Sequence, residues 1–373
     1  MTIHIIEALR AASRLFRTAT WTQPRDSSLH RDRVAKAVLE NDSEYLHHFE
    51  YPDIDLTGYV DAVRSVEGIA RETLPDALLT PVRHHIEAHV VRAVALASGD
   101  DDQYQAAAVS LDGLPGSELV AYAVSVLADD APATVTAHGC SGAQELAKRF
   151  ETALKNYDLD HWDVQISADM SARMSVNGPL RRLRIRADAT FSPAEADRLL
   201  THEIGGHVLR WENAARQPEP LALLTLGSTV ATEEGLALRA EYEAGLLDTK
   251  TLRTYAARVL AVQMSQTQGL LQIASALHEY VDLPAAAEIA IRVKRGLRNP
   301  NNPGGLTKDW GYLGGLRMMH HLAYADPTGL QLLRGIKWSI QHLPLAKQLQ
   351  AEGRLQVPEL SPDPDRLGII GAT

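Results

Sequence analysis

The segment LLTHEIGGHVLRWENA, residues 199–214, sets His202 beside Glu203 and places a second histidine, His207, five residues after the first. Neutral imidazoles bind divalent metal ions, and a neighbouring carboxylate can take a proton from an activated water. The usual helical form of this grouping is H-E-x-x-H, with two residues between the Glu and the second His. Here three intervene, Ile204, Gly205 and Gly206. On a regular α-helix residues four apart differ in direction by about 40°, whereas residues five apart differ by about 140°. His202 and His207 can therefore meet at one ion only where the helix widens, as in a π-bulge. Two adjacent glycines cost a helix about 2 kcal/mol relative to two alanines, so their presence in the gap points to a distorted backbone that re-aims His207.

A metal held by two His of one helix needs a third ligand, and a carboxylate from a following helix can supply it while leaving a position for water. The segment TEEGLALRAEY, residues 232–242, offers Glu233 and Glu234 at the start of such a helix. With a single cysteine, Cys140, no Cys-based zinc knuckle and no internal disulfide can form, so any transition metal falls to His and carboxylates. The competing pair His85 and His89 has the more regular i, i+4 spacing. No glutamate stands there in the motif's place, and the charged neighbours suit an exposed helix face.

The elements that must position these groups are partly readable. Ser192, Pro193 and Glu195 form an N-cap, a first-turn proline and a capping box, so the His-Glu pair lies two to three turns into a helix. Before it, Trp162, Val164, Ile166 and Ala168 alternate with polar residues, as do Leu183, Ile185 and Ala187 with arginines. Two strands separated by the turn VNGP fit this pattern. The alternating segment RRLRIRADA is a candidate edge strand, able to pair with an extended peptide, and its arginine-bearing face reads equally well as a solvated outer face. Ser141 and Gln144 predict a capped helix ahead of the strands. The first 130 residues show helical spacing in VDAVRSVEGIARETL and PVRHHIEAHVVRAVALA. The breaking residues of 129–142 suggest a junction, giving a helical N-terminal region, 1–135, and a second region, 136–373. The expected class is α+β and predominantly helical, with a small antiparallel sheet and an active-site helix.

The islands HEIGGHVLR, EEGLA and RVKRGLRNPNNPGGLTKDWGYLGG, in this order over about residues 140–350, together resemble the QEGLA-motif proteins, the family of the microtubule-associated tyrosine carboxypeptidases. The resemblance implies a zincin-like catalytic domain with one zinc ion. Carried over, His202 and His207 are zinc ligands, Glu203 is the general base and Glu234 the third ligand. Glu233 stands where many members have Gln, which favours a supporting or capping role, with Glu233 as ligand the alternative. A tetrahedral oxyanion also needs a donor besides the metal, and Tyr312, Lys308, His320 and His321 are the candidates, Tyr312 foremost. A carboxypeptidase must grip a terminal carboxylate, which suits arginine. Of Arg210, Arg292, Arg295, Arg298, Lys308 and Arg317, those flanking the Gly/Pro/Asn loop, Arg292, Arg295 and Lys308, are the expected binders. Arg210 is expected in a supporting ion pair with Glu212 or the EEGLA helix. The loop at 299–306 is a candidate cover for the substrate.

The whole chain has 373 residues, 47 acidic against 37 basic, and a formal net charge of -10. Clustered positive charge for nucleic acid is lacking, and no apolar run approaches the ~20 residues of a membrane span. The N-terminus shows neither the apolar core nor the cleavage site of a signal peptide, so a cytoplasmic protein is the expectation. The expected partner is the C-terminus of a peptide or protein, and no pattern specifies an oligomeric state. Competing readings are a zinc endopeptidase, a peptide-maturation hydrolase and a non-catalytic metal-binding regulator. Glu203 argues against the last, because a structural site needs no base.

Overall fold

The structure is a computed structural model that describes residues 7, 24, 27–42, 48–51, 53, 54, 56–73, 76–129, 141–168, 170 and 172–369. Between residues 27 and 128 the described residues form α1 (Ser27–Glu40), α2 (Tyr59–Thr73), α3 (Asp76–Ser98), α4 (Asp101–Asp112) and α5 (Ser117–Ala128). The expected junction at 129–142, and with it the boundary near residue 135, falls almost entirely outside the described residues. After it come β1 (Ser141–Gly142), α6 (Ala143–Asn156), β2 (Asp163–Ser167), β3 (Met174–Asn177), β4 (Arg182–Arg186) and β5 (Thr190–Phe191). Gly142, not Ser141, is the N-cap of α6, because Ser141 pairs with Phe191 in the short β1–β5 ladder.

Among the described residues the fold is predominantly helical with little sheet, the α+β class expected from sequence. The strands depart from the expected pairing in two ways. The turn VNGP joins β3 to β4 antiparallel, while β2 returns parallel to β4, giving the order β2-β4-β3. The segment RLRIR is therefore the central strand, and both its edges are already hydrogen-bonded. It has no free edge for a peptide. Leu183 and Ile185 point into the core, and the intervening arginines are held by Asp163, Ser167 and Asp188.

The metal-motif helix starts at α7 (Pro193–Leu199), widens over Leu200–Val208 and continues as α8 (Leu209–Arg216). Ser192 caps it by accepting from the Glu195 N–H. The Glu195 side chain turns away to Arg173 rather than back to the cap. The remaining helices are α9 (Val230–Glu243), α10 (Thr249–Ser265), α11 (Leu270–His278), α12 (Leu283–Val293), α13 (Gly311–Ala325), α14 (Pro327–Leu333), α15 (Leu343–Ala351) and α16 (Pro364–Leu367).

Two apolar cores flank the metal motif. One joins Leu146, Phe150, Ile185, Leu200, Ile204, Val208, Leu236 and Trp338; the other joins Phe49, Tyr59, Leu96, Tyr104, Leu238, Val259, Ile291 and Leu313. Helices preceding the junction thus share a core with helices that follow it. Helix α9 lies between the two cores, with Leu236 in one and Leu238 in the other. Each such buried side chain contributes about 1.5–3 kcal/mol, so the helix bearing the EEGLA segment is held from both sides. No helix among the described residues is long and apolar enough to cross a membrane.

Candidate metal centre

The widened stretch Leu200–Val208 is π-helical over nine residues, and the Leu209 N–H donates to the Ile204 carbonyl five residues back. This is the backbone that the five-residue spacing demanded. The rings of His202 and His207 accordingly come together, with centroids 5.0 Å apart and planes at 77°. Gly206 has a second task. A Cβ there would overlap Ala237 of α9, so the glycine lets the two helices close on each other. Gly235 does the same on the opposite side, where a Cβ would sit 2.5 Å from the carbonyl carbon of Gly315 in α13. The small residues of EEGLA are what bring three helices within reach of one point.

That point is defined by three donor atoms. His202 Nε2 lies 3.3 Å and His207 Nε2 3.8 Å from the same carboxylate oxygen, Oε2 of Glu234. Among the described residues these three form the one cluster able to hold a metal, with donor atoms within 4.8 Å of one another. Donors about 2.0–2.1 Å from a tetrahedral zinc are about 3.3–3.4 Å apart, close to this spacing. Glu234 Oε2 is moreover buried with no hydrogen-bond donor aligned to it. A buried carboxylate oxygen facing two imidazole nitrogens fits a cation between them. Burial pushes the Glu234 carboxyl up, but His202 and His207 outweigh this and hold it down at about 2. The acid is ionised, as a ligand must be.

The candidate ligands are themselves anchored. His202 Nδ1 lies 2.6 Å from Oε1 of Glu241, a fully buried carboxylate also approached by Arg198 at 3.4 Å. Ring orientation by a second carboxylate is a recurrent feature of metal-binding histidines. Glu233 points the other way from Glu234: its Oε2 lies 3.7 Å from His207 Nδ1, while Oε1 is bound by Arg210 at 2.9 Å and by Lys337. Burial opposes ionisation of Glu233, but these two cations keep its carboxyl well below the usual range. Arg210 also donates to the carbonyls of Leu333, Ile336 and Trp338. Its carboxylate partner is thus on the EEGLA helix, whereas Glu212 binds Arg181 and Trp162. Glu203 forms no hydrogen bond or ion pair among the described residues, although only 8% of it is exposed.

The chain has 33% identity over 180 residues to microtubule-associated tyrosine carboxypeptidase 1 of Rattus norvegicus, covering 45% of this chain and 36% of the relative. The sequence pattern of the microtubule-associated tyrosine carboxypeptidase family matches residues 41–367. The chain belongs to this family. In this member of the microtubule-associated tyrosine carboxypeptidases, Lys308 opens a short 3₁₀ turn, Lys308–Trp310, that leads into α13 with Tyr312 in its first turn. Tyr312 stacks on Tyr255 at 4.9 Å, and Arg258 lies over both rings at 5.3 Å. Burial, with the Glu234 charge beside it, pushes the Tyr312 hydroxyl up, so it remains a donor.

The expected carboxylate binders divide. Arg292 is engaged by Asp309 through two hydrogen bonds, one of 3.0 Å. Lys308 forms no ion pair among the described residues; burial and the neighbouring Arg292 lower its ammonium pKa. Arg295 leaves a buried Nε without a partner, and so does Arg258, which sequence reasoning passed over. His320 packs on Tyr242 and His321 is exposed. Arg298 lies against Gly99, and Arg317 over Tyr122. The pair His85 and His89 is half-buried, not on an open face, with Nε2 atoms 3.1 Å apart and both rings held neutral by burial. The 299–306 loop is tied down at several points, including Gly304 N–H to Ser265 O and Leu306 N–H to Val293 O.

Glu241, Lys337, Arg198, Asp309 and Arg258 are the site residues the sequence did not announce. Only Glu241 carried a signal, standing seven residues, or two turns, after Glu234 on the same face of α9.

Proposed function

We propose that the protein is a zinc-dependent metallopeptidase of carboxypeptidase type, removing a residue from the C-terminus of a peptide or protein. The single observation that carries this reading is the convergence of His202, His207 and Glu234 Oε2 beside an unpaired Glu203. His202, His207 and Glu234 would hold the ion, which when bound would polarise the scissile carbonyl and lower the pKa of water towards ~7. Glu203 takes the proton of the attacking water and passes it to the leaving amine. The raised pKa of Tyr312 keeps its hydroxyl protonated, able to donate to the developing oxyanion. Lys308 receives the terminal carboxylate, with the positive charges of Arg258 and Arg295 acting on the adjacent Asp309, while Arg292 holds Asp309 and so sets the 3₁₀ turn that carries Lys308.

Family membership supports this reading, and the matched relative is named for the release of tyrosine. The aligned segment spans about a third of that relative, so its microtubule substrate is not carried over. The test incubates the zinc-loaded protein and its Glu203→Gln form with a C-terminally randomised peptide pool, read by mass spectrometry. Loss of one C-terminal residue with the wild type alone is expected. Internal cuts would make it an endopeptidase, and stoichiometric zinc without cleavage would make it a metal-binding regulator.

A further inference from the structure

Lys294 immediately follows α12 and none of its surface is exposed, yet no carboxylate is paired with it among the described residues. Its ammonium is instead surrounded by main-chain oxygens: Gln268 O and Asn302 O at 2.6 Å, Gly304 O at 3.1 Å and Ser265 O at 3.4 Å. Two of these carbonyls belong to the end of α10 and the turn beyond it, and two to the Gly/Pro/Asn loop. An ammonium has three donors, so three of the contacts are hydrogen bonds and the fourth completes the shell. Burial lowers its pKa to about 7, and the carbonyl dipoles that replace its lost water favour the charged form. We propose that Lys294 is a positioning residue: its ammonium is the internal cation around which the 299–306 loop folds, and the carbonyl cage is a site for any small N–H-bearing cation when the lysine side chain is removed.

Several features converge on this cage. Gly304 N–H donates to Ser265 O, and Leu270 N–H to Pro300 O, so the same two segments are also stitched directly. Gly305, with φ +134°, passes so close to Val293 that a Cβ would overlap its carbonyl oxygen. Leu306 N–H donates to that same oxygen, and Thr307 Oγ1 to Ala108 O. Thr307 alone separates Leu306 from the pair Lys308 and Asp309, and Tyr312 follows in the next turn. The loop is therefore an anchor whose far end aims the groups beside Glu234. Without the ammonium, Ser265 O would keep Gly304 N–H, but the carbonyl oxygens of Gln268, Asn302 and Gly304 would lose their donor, and the loop would have to open to let in water.

The consequence for substrate rests on the proposed function; the loop's order does not, and the two are read separately. Lys294→Ala and Lys294→Met are compared with the wild type by amide hydrogen exchange and by peptide hydrolysis. In both, the Gly304 and Leu306 amides should exchange at least tenfold faster, and KM should rise more than kcat falls. Propylammonium should restore protection and KM in Lys294→Ala. It should not do so in Lys294→Met, whose side chain fills the space. Tetramethylammonium, which has no N–H, should do nothing. If Lys294→Ala is insoluble alone, recovery of folded protein with propylammonium and not with tetramethylammonium supports the cage. Wild-type protection of the loop in Lys294→Met would overturn the proposal, as would equal rescue by the two amines. If the wild type trims no peptide, the exchange data still decide on the cage.

Discussion

Glu241 offers the most direct test of how the site is built. Its carboxylate is fully buried, lies 2.6 Å from His202 Nδ1, and is the anion nearest Arg198. Replacing it with alanine frees the His202 ring to turn and removes the acceptor that would fix the tautomer with Nε2 toward the proposed metal position. Outer partners of this kind are worth about 10- to 100-fold in metal affinity, or about 1.4–2.7 kcal/mol. The contact here is short and dry, so the upper half of that range is expected for Glu241→Ala. Glu241→Gln retains an acceptor oxygen but loses the charge, and should cost less than about tenfold. Zinc affinity is measured by competition with a chromophoric chelator at pH 7.5. A second effect must be kept apart: the alanine variant leaves Arg198 buried without its anion, an imbalance that costs about 3–5 kcal/mol of folding stability when complete. The Arg198 side chain is 15% exposed, which favours the lower end. Arg198→Leu combined with Glu241→Ala should restore stability but not zinc affinity. Unchanged affinity in folded Glu241→Ala would refute the reasoning, since His202 would then be oriented by packing alone.

The paired glycines predict opposite outcomes. Gly205→Ala meets Pro362, with the nearest carbon 3.2 Å from the new Cβ, and Leu367 at 3.9 Å, and should change stability by less than about 1 kcal/mol; Gly206→Ala collides with Ala237 and should cost about 1–3 kcal/mol in urea unfolding together with zinc affinity. His202 gives a pH signature. Burial opposes its charge, but Glu234 and Glu241 raise its pKa well above 6.5 in the metal-free protein. The stability this confers is complete below about 6.5 and is lost as pH rises through the raised folded value. The melting temperature of chelated protein should therefore fall from pH 6.5 to 9 more steeply than that of the zinc-loaded protein, in which the imidazole is already neutral; parallel profiles would count against the coupling. Glu233→Gln should destabilise by about 3 kcal/mol, because Arg210 and Lys337 lose their shared anion, and adding Lys337→Met should recover most of that loss.

What the sequence revealed, and what it withheld, follows from how far each signal travels along the chain. The pair His202 and His207 was legible because their spacing is incompatible with a regular helix and two glycines lay in the gap. The capped start at Ser192 and the helix at Glu233 were equally local. Strand alternation at 163–167 and 182–186 marked strands correctly, but alternation does not name a neighbour. That β4 is central depends on a crossover through β3, four residues long, which no periodicity betrays. Arg258 and Lys337 join the site from helix α10 and from beyond α14, and nothing in their own segments distinguishes them from solvated charges. Asp309 stood next to Lys308 in plain view, yet its capture of Arg292 depends on the close approach of the segments at 292 and 309. Buried charge pairs of this sort are decided by tertiary packing, so single-segment reading passes over them.

The extra residue between Glu203 and His207 is best understood from both of its ends. Deleting one residue there would return the histidines to the i, i+4 spacing of a regular helix. It would also turn everything beyond the deletion by about 100°. Val208 and Leu209, both buried, would leave the core, and Arg210 would lose Glu233 and the three carbonyls of Leu333, Ile336 and Trp338. The π turn lets one continuous helix satisfy two demands that a uniform α-helix cannot meet together. His202 and His207 face the metal position, while the next turn still presents Arg210 to the glutamate that steadies His207. The five-residue spacing is thus tied to the Arg210–Glu233 pair as firmly as to the proposed metal ligands.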